Sequence, residues 1–225
     1  MLEANKSILF EKIFSIYNRN LLKRSFYSIQ VSGLDCLFKK DVNIPLIIYC
    51  NHSSWWDGLV AFQISIETAL DSFVMMEEKQ LKQLFLFRKL GAFSVVREKP
   101  SEAFKSVIYA AKLLKENSNR TLWIFPQGEI LPNDLRPIRF FNGLAKIIEK
   151  VGNCLVTSLS MRYEFLCEFK PQIFVKIEEP WMIYVNEDLN SKKLSEKLAE
   201  RLTNNLDQLK NEIINQSLSD YKSIL

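Results

Sequence analysis

At 225 residues the chain is long enough for one large domain or two small ones, and its 48% hydrophobic content, with only 6 glycines and no low-complexity tract, excludes a disordered chain. A net charge of +4 without a zinc-finger or RNP-type motif does not require nucleic acid, yet it is compatible with an anionic membrane surface. One histidine and four cysteines (Cys36, Cys50, Cys154, Cys167) without C-x-x-C spacing argue against a metal site and for reduced, buried thiols in a cytosolic protein.

Met1 to Asn5 lacks the basic segment and apolar core of a secretion signal, and no apolar run approaches the length that spans a bilayer. Residues 6–28 are predicted to form an amphipathic helix, because Phe10, Ile13, Phe14, Tyr17, Leu21 and Leu22 recur at three- and four-residue spacing. Lys6, Lys12, Arg19, Lys23 and Arg24 make it basic against Glu3 and Glu11 alone. Such a helix suits either the headgroup layer of a membrane or packing on its own domain.

A first strand is expected over Ser28–Ser32, then a loop or hairpin over Gly33–Asn43 carrying Lys39 and Lys40. The apolar run Pro45–Cys50 reads as a buried strand. Beyond the polar turn that follows, Gly58–Leu70 is read as a helix and Ser72–Met76 as a strand. Lys79–Leu90 is a helix stopped by Gly91, and Ala92–Val96 a strand with Arg97 at its end. Ser101–Glu116 is a helix opened by Ser101 as a capping serine after Pro100. Thr121–Phe125 is a strand, Gly143–Lys150 a helix, Cys154–Arg162 a core strand and Gln172–Ile177 a strand near an edge. A linker over Glu187–Ser191 leads to a helix whose stripe of Leu194, Leu198, Leu202, Leu206, Leu209 and Ile213 covers the core. Alternating strands and helices predict an α/β fold, a mostly parallel sheet covered by helices, with the amphipathic helix at one end of the chain and the leucine-striped helix at the other.

Two polar turns at strand ends stand where an open α/β sheet builds a site. In Asn51-His52-Ser53-Ser54-Trp55-Trp56-Asp57, a neutral imidazole can take a proton from a hydroxyl, and a carboxylate on its other nitrogen fixes the tautomer. The five-residue spacing suits a turn that enters a first helical turn and folds Asp57 back under the ring. Ser53 and Ser54 are read as turn residues, since no G-x-S-x-G elbow is present. Trp55 and Trp56 suit either the wall of an apolar pocket or the core. The second turn is Phe125-Pro126-Gln127-Gly128-Glu129, whose Gly128 serves either as a plain turn residue or to present backbone N–H groups to an anion. Arg97 is a fixed cation suited to phosphate or pyrophosphate, or simply a surface charge.

Asn51, His52 and Asp57, then Gly91, Phe93 and Arg97, then Phe125-Pro126-Gln127-Gly128-Glu129, resemble in order and spacing the motifs of the glycerolipid acyltransferases, the lysophosphatidate-acyltransferase-like enzymes, over roughly residues 30–190. The resemblance implies transfer of a fatty acyl group from acyl-CoA or acyl-carrier protein to a hydroxyl of a lysophospholipid or other lipid. In that assignment His52 and Asp57 are catalytic, and Asn51, Arg97, Phe125, Pro126, Gln127, Gly128 and Glu129 bind substrate. It further implies no metal and no tightly bound cofactor, a cytoplasmic enzyme peripheral on the membrane, a membrane-associating helix over residues 1–30 and an acyltransferase domain over 31–225.

Departures from the pattern bear on the acceptor. Gln127, Glu129 and Ile130 stand where the family has glutamate, threonine and arginine, in a motif tied to the acceptor phosphate. Arg136 and Arg139 are the nearby candidates to replace the missing cation. Phe141-Asn142-Gly143 matches the family's next region in part, and Thr157 stands where a proline is frequent. A carboxylate at 129 disfavours a phosphate there and favours a neutral, glycosyl or amine-bearing headgroup. Two rival readings stay open, a non-catalytic lipid-binding member of the same fold and a hydrolase that passes the acyl group to water.

Overall fold

A computed structural model describes residues 1–38, 41, 43–185 and 190–225; Lys39 and Lys40, and Glu187, Asp188 and Leu189 of the expected linker, lie outside the described residues. The fold grows from β2 (Leu46–Cys50), whose five residues are all buried. A strand sealed on both faces needs such an uninterrupted apolar run. β2 lies between two parallel neighbours, β5 (Arg120–Ile124) and β6 (Cys154–Glu164). Beyond β5 come β3 (Asp71–Glu77) and β4 (Ala92–Val95), also parallel. Beyond β6 the sheet turns mixed: β7 (Gln172–Ile177) runs antiparallel to it, β1 (Ile29–Ser32) lies parallel to β7, and β9 (Lys222–Ser223) closes that side. β8 (Trp181–Ile183) pairs with the start of β6, giving nine strands among the described residues.

Side chains of successive strand residues point to opposite faces, and the core divides accordingly. Ile47 and Tyr49 pack under α5 (Pro100–Glu116), α6 (Gly143–Val151) and α7 (Ser191–Ile214). Leu46, Ile48 and Cys50 pack under α1 (Ile8–Ser25) and α3 (Asp57–Glu67). The α7 stripe from Leu194 to Ile213 is buried throughout, so this helix covers the sheet as its periodicity predicts.

Several elements depart from the sequence reading. β7 is internal, because β1 pairs with it from far away in the chain. Residues 33–43 include a short helix, α2 (Asp35–Phe38). The helix expected over 79–90 breaks at Leu84 into α4 (Glu78–Gln83) and a 3₁₀ turn, Phe85–Leu90, which brings the Phe87 ring to 5.8 Å from that of Phe14 in α1. Ser101 lies inside α5; Lys99 is the cap position and Pro100 the first helical residue, where a missing N–H does no harm. Cys50 and Cys154 are buried, and burial pushes the Cys154 thiol up to about 12, but Cys36 is half-buried and Cys167 is exposed.

The N-terminal segment was not foreseen. The backbone of Leu2 accepts from Ser94 N–H at 2.8 Å, Ala4 N–H donates to the Tyr109 hydroxyl at 3.0 Å, and Asn5 and Ser7 donate to Arg88 and Lys89 carbonyls. The exposed edge of β4 is thus covered, which removes an open row of unpaired backbone groups. α1 then crosses the face formed with α3: Asn18, fully buried, donates to the Leu59 carbonyl and to Gln63.

Gly33 ends β1 at φ +79, and a Cβ there would lie 2.2 Å from the Ile177 carbonyl oxygen of β7. Gly33→Ala therefore forces the β1–β7 pair apart. A loss of about 2 kcal/mol, roughly 5 °C in Tm for a domain of this size, is expected in thermal unfolding followed by circular dichroism.

Candidate active site

β2 connects through α3 to β3 on one side, whereas β5 connects through α6 to β6 on the other. The crevice beyond the ends of β2 and β5 is therefore a switch point, where α/β sheets place ligands. His52 follows β2 by two residues and continues the alternation of Leu46, Ile48 and Cys50, so it belongs to the face covered by α1 and α3.

Its backbone is held from both sides. His52 N–H donates to the Gln127 side-chain oxygen at 2.8 Å, and its carbonyl accepts from Leu131 N–H at 2.8 Å. Asn51, buried, takes Met161 N–H on its side-chain oxygen at 2.8 Å and donates to the Met161 carbonyl at 2.9 Å and to Asn133 at 2.8 Å. These two amides bind the motif turn to β6 and to the long loop 125–142. Neither lines the cavity, so their polar groups are committed to the scaffold.

Asp57 opens α3 with its side chain 0% exposed. Its Oδ2 receives His52 Nδ1–H at 2.8 Å, Ser53 N–H at 2.7 Å and Ser54 N–H at 2.9 Å. Its Oδ1 receives the Tyr163 hydroxyl at 2.5 Å. The turn folds the carboxylate back under the ring, as the five-residue spacing predicts. With the Nδ1 proton directed at Asp57, the lone pair of the imidazole lies on Nε2. Burial, and after it the Asp57 charge, pushes the Tyr163 phenol well above its ordinary value, so this group stays a proton donor. Tyr163 carries no motif, and the strand expected from the sequence stops at Arg162, one residue short of it; β6 runs on to Glu164 and brings it to the site.

His52 lines a cavity of about 740 Å³. Its deep part lies on the α1 and α3 face between Phe14, Phe62, Val74 and Trp123. Phe14 meets Phe62 edge to face at 5.1 Å, so α1 is a wall of the cavity. Ser72 and Ser65 also line it, in a chain that runs from Trp123 Nε1–H to Ser72, from Ser72 to Ser65 and from Ser65 to the Ala61 carbonyl. Ser72 lies level with Thr121 and Leu46 in the sheet register, six residues before His52. That corresponds to a depth of about 20 Å.

The two tryptophans divide. Trp56, half-buried, packs on Phe26 at 4.9 Å against the core, whereas Trp55 is 56% exposed at the cavity mouth. Around the mouth stand Phe125, Pro126, Gly128, Glu129, Ile130 and Arg97. Phe125 lies 4.7 Å from the imidazole. Gly128 N–H closes the turn on the Phe125 carbonyl at 3.0 Å, so it does not serve as an anion donor. The reason for glycine is the neighbour: at φ +73, a Cβ would lie 2.5 Å from Arg97 Nη1 and 2.8 Å from the Phe141 ring. Arg97 is thereby wedged over Gly128, 5.5 Å from the Phe141 ring, and paired with Glu77 at 3.2 Å. Neither proposed substitute cation reaches the mouth. Arg136 is bound to Asp207 and to the Asn133 and Leu135 carbonyls, and Arg139 is exposed away from the lining. Lys146 joins Arg97 as the second lining cation.

No curated protein matches the chain in a direct sequence comparison. A family model described as Acyltransferase matches residues 28–162, more than half of the chain and the whole stretch from β1 through the two turns into β6. With the α/β sheet, the paired histidine and aspartate and the apolar cavity beside them, this match establishes that the chain belongs to the glycerolipid acyltransferase family and is an acyltransferase.

Proposed function

We propose that the protein passes a long-chain fatty acyl group from acyl-CoA or acyl-carrier protein to a hydroxyl of a membrane lipid, with His52 as general base. The observation that carries this reading is the 2.8 Å pair between His52 Nδ1 and Asp57 at the edge of the 740 Å³ cavity. His52 Nε2 takes the proton of the acceptor hydroxyl, and the oxygen attacks the thioester carbonyl. The tetrahedral intermediate collapses with loss of the thiolate, which recovers the proton from the imidazolium that Asp57 has held in place. No serine hydroxyl is hydrogen-bonded to His52 among the described residues, which supports direct attack by the acceptor over a serine-bound acyl enzyme.

The acyl chain occupies the deep part of the cavity, away from water. A depth of about 20 Å suits a long chain, with the Trp123–Ser72–Ser65 chain at its far end. Arg97 and Lys146 at the mouth take the phosphates of the donor.

The acceptor headgroup then meets Glu129 and Ile130. Ile130 is 50% exposed where an arginine would face a phosphate, and Gly128 N–H and Arg136 are both engaged elsewhere. Gln127, considered above as a headgroup partner, has its oxygen on His52 N–H, so recognition falls to Glu129, which accepts from a sugar or other neutral hydroxylic group.

No helix among the described residues is long and apolar enough to cross a membrane. Contact through α1 is supported by Ile8, Leu9, Ile13, Ile16 and Tyr17, all exposed, beside Lys12, Lys23 and Arg24, which have no carboxylate partner among the described residues. Lys6 and Arg19, in contrast, are paired with carboxylates.

His52→Ala is expected to lose about a hundred- to ten-thousand-fold in kcat with Tm retained. Near-normal turnover of the folded variant refutes the mechanism. Asp57→Asn, which presents the wrong tautomer, is expected to lose most of kcat.

Tyr163→Phe removes one donor from Asp57 and is expected to lower kcat about tenfold with little change in KM. A kcat that does not fall, or a loss that appears in KM instead, limits Tyr163 to packing.

With one acyl donor, kcat/KM is expected to be higher for glycosylated or neutral hydroxylic acceptors than for lysophosphatidate. A tenfold preference for lysophosphatidate, about 1.4 kcal/mol of transition-state binding, overturns the assignment of Glu129.

A further inference from the structure

The turn between β6 and β7 carries the most exposed large apolar side chain among the described residues. Phe169 is 97% exposed, Phe165 72%, and Leu166 lies beside them. Neither ring lines the cavity beside His52. Large apolar side chains held in water at a convex tip mark a contact surface.

Three observations identify what the tip meets. First, β6 runs parallel to β2, and Leu159 is level with Cys50, so a turn that begins at Phe165 projects beyond the level of His52 by about 13 Å. It therefore stands at the catalytic end of the sheet, on the side where Trp55 and Ile130 are also exposed. Second, the tip is joined to the end of α1: Lys170 donates to the Lys23 carbonyl at 3.0 Å, and Tyr27 N–H donates to the Pro171 carbonyl at 2.9 Å. The tip is thus fixed to the C-terminal end of the helix that carries the exposed apolar patch. Third, the junction is basic, since Lys23 and Arg24 lie between the patch and the tip without a carboxylate partner among the described residues. Phe165 and Phe169, with Lys170, Lys23 and Arg24 beside them against Glu168 within the turn and Glu164 held by Arg162, match the apolar boundary and the anionic headgroups of a lipid layer.

We infer that the β6–β7 turn inserts Phe165 and Phe169 into an anionic bilayer and, with α1, seats the cavity mouth on the membrane surface. This rests on the reading that the acceptor is a membrane lipid. It adds a second anchor about a different axis from the helix, which turns attachment into orientation.

Cys167 stands at the tip and reports on it directly. In a full-length Cys36→Ser background, Cys50 and Cys154 are buried, so an environment-sensitive fluorophore reacts at Cys167. Vesicles of phosphatidylcholine with phosphatidylglycerol should shift its emission to the blue, and vesicles of phosphatidylcholine alone should do so less. The unlabelled double variant Phe165→Ser, Phe169→Ser should sediment with the mixed vesicles at least tenfold more weakly at unchanged Tm. A label that stays in water while the protein sediments with vesicles overturns the inference. So does a double variant that binds like wild type, a wild type that does not bind, or an emission shift that follows protein concentration without lipid and so reports a second copy of the chain. Neither acyl donor nor lysolipid is present, so a failure of acyl transfer leaves these outcomes unaffected.

Discussion

A carboxylate without water must be surrounded by donors or lose its charge. Asp57 meets that condition with four donors from three directions: the Ser53 and Ser54 N–H groups of its own turn, the imidazole, and the Tyr163 hydroxyl at the end of β6. The turn can adopt its shape only by wrapping this charge, and the imidazole then has one orientation. Much of the remaining structure serves to keep the turn in place. Gln127 and Leu131 hold the backbone of His52, Asn51 ties the turn to β6, and Trp56 anchors it against Phe26 of the core. The alignment of the imidazole with its carboxylate thus derives largely from backbone hydrogen bonds.

The cavity extends the same economy. α1 supplies Phe14 to its wall, Asn18 to the joint with α3 and an exposed apolar face to the outside. A helix that is both wall and outer surface links the surroundings of the protein to the volume of the cavity. Displacing it opens the deep cavity to water. That distinguishes it from a detachable tether and explains why its buried residues include a polar one, Asn18, with defined partners.

What was legible in the sequence is local. The run Leu46–Cys50 needs only burial on both faces, the α7 stripe needs only a period of 3.6, and the pairing of His52 with Asp57 needs only a turn of the right length. What was not legible depends on neighbours distant in the chain. β7 was read as lying near an edge, because beyond β6 its second partner, β1, comes from far away in the chain. Tyr163 has no signature, since its partner lies 106 positions away. Asn51 and Gln127 are the instructive cases. An amide side chain suits a ligand and a backbone clamp equally well, and only the presence of Met161 and of His52 N–H decides for the clamp. Gly128 shows the same limit from the other side: a turn was expected there, but its close contact with Arg97 was not.

The position of His52 is a matter of parity. Side chains of a strand change face at every residue, so a slip of one position between β2 and β6 would carry the imidazole from the face of α1 and α3 to that of α5, α6 and α7, with every backbone rung still paired. The apolar residues of β2 resist the slip only weakly, because both faces are buried and a displaced Ile or Leu still finds a core. The paired hydrogen bonds between the Asn51 side chain and the Met161 backbone are specific to one alignment and have no equivalent in the shifted one. They act as the index mark of the sheet: without them the protein would keep its shape and lose its address for the reaction.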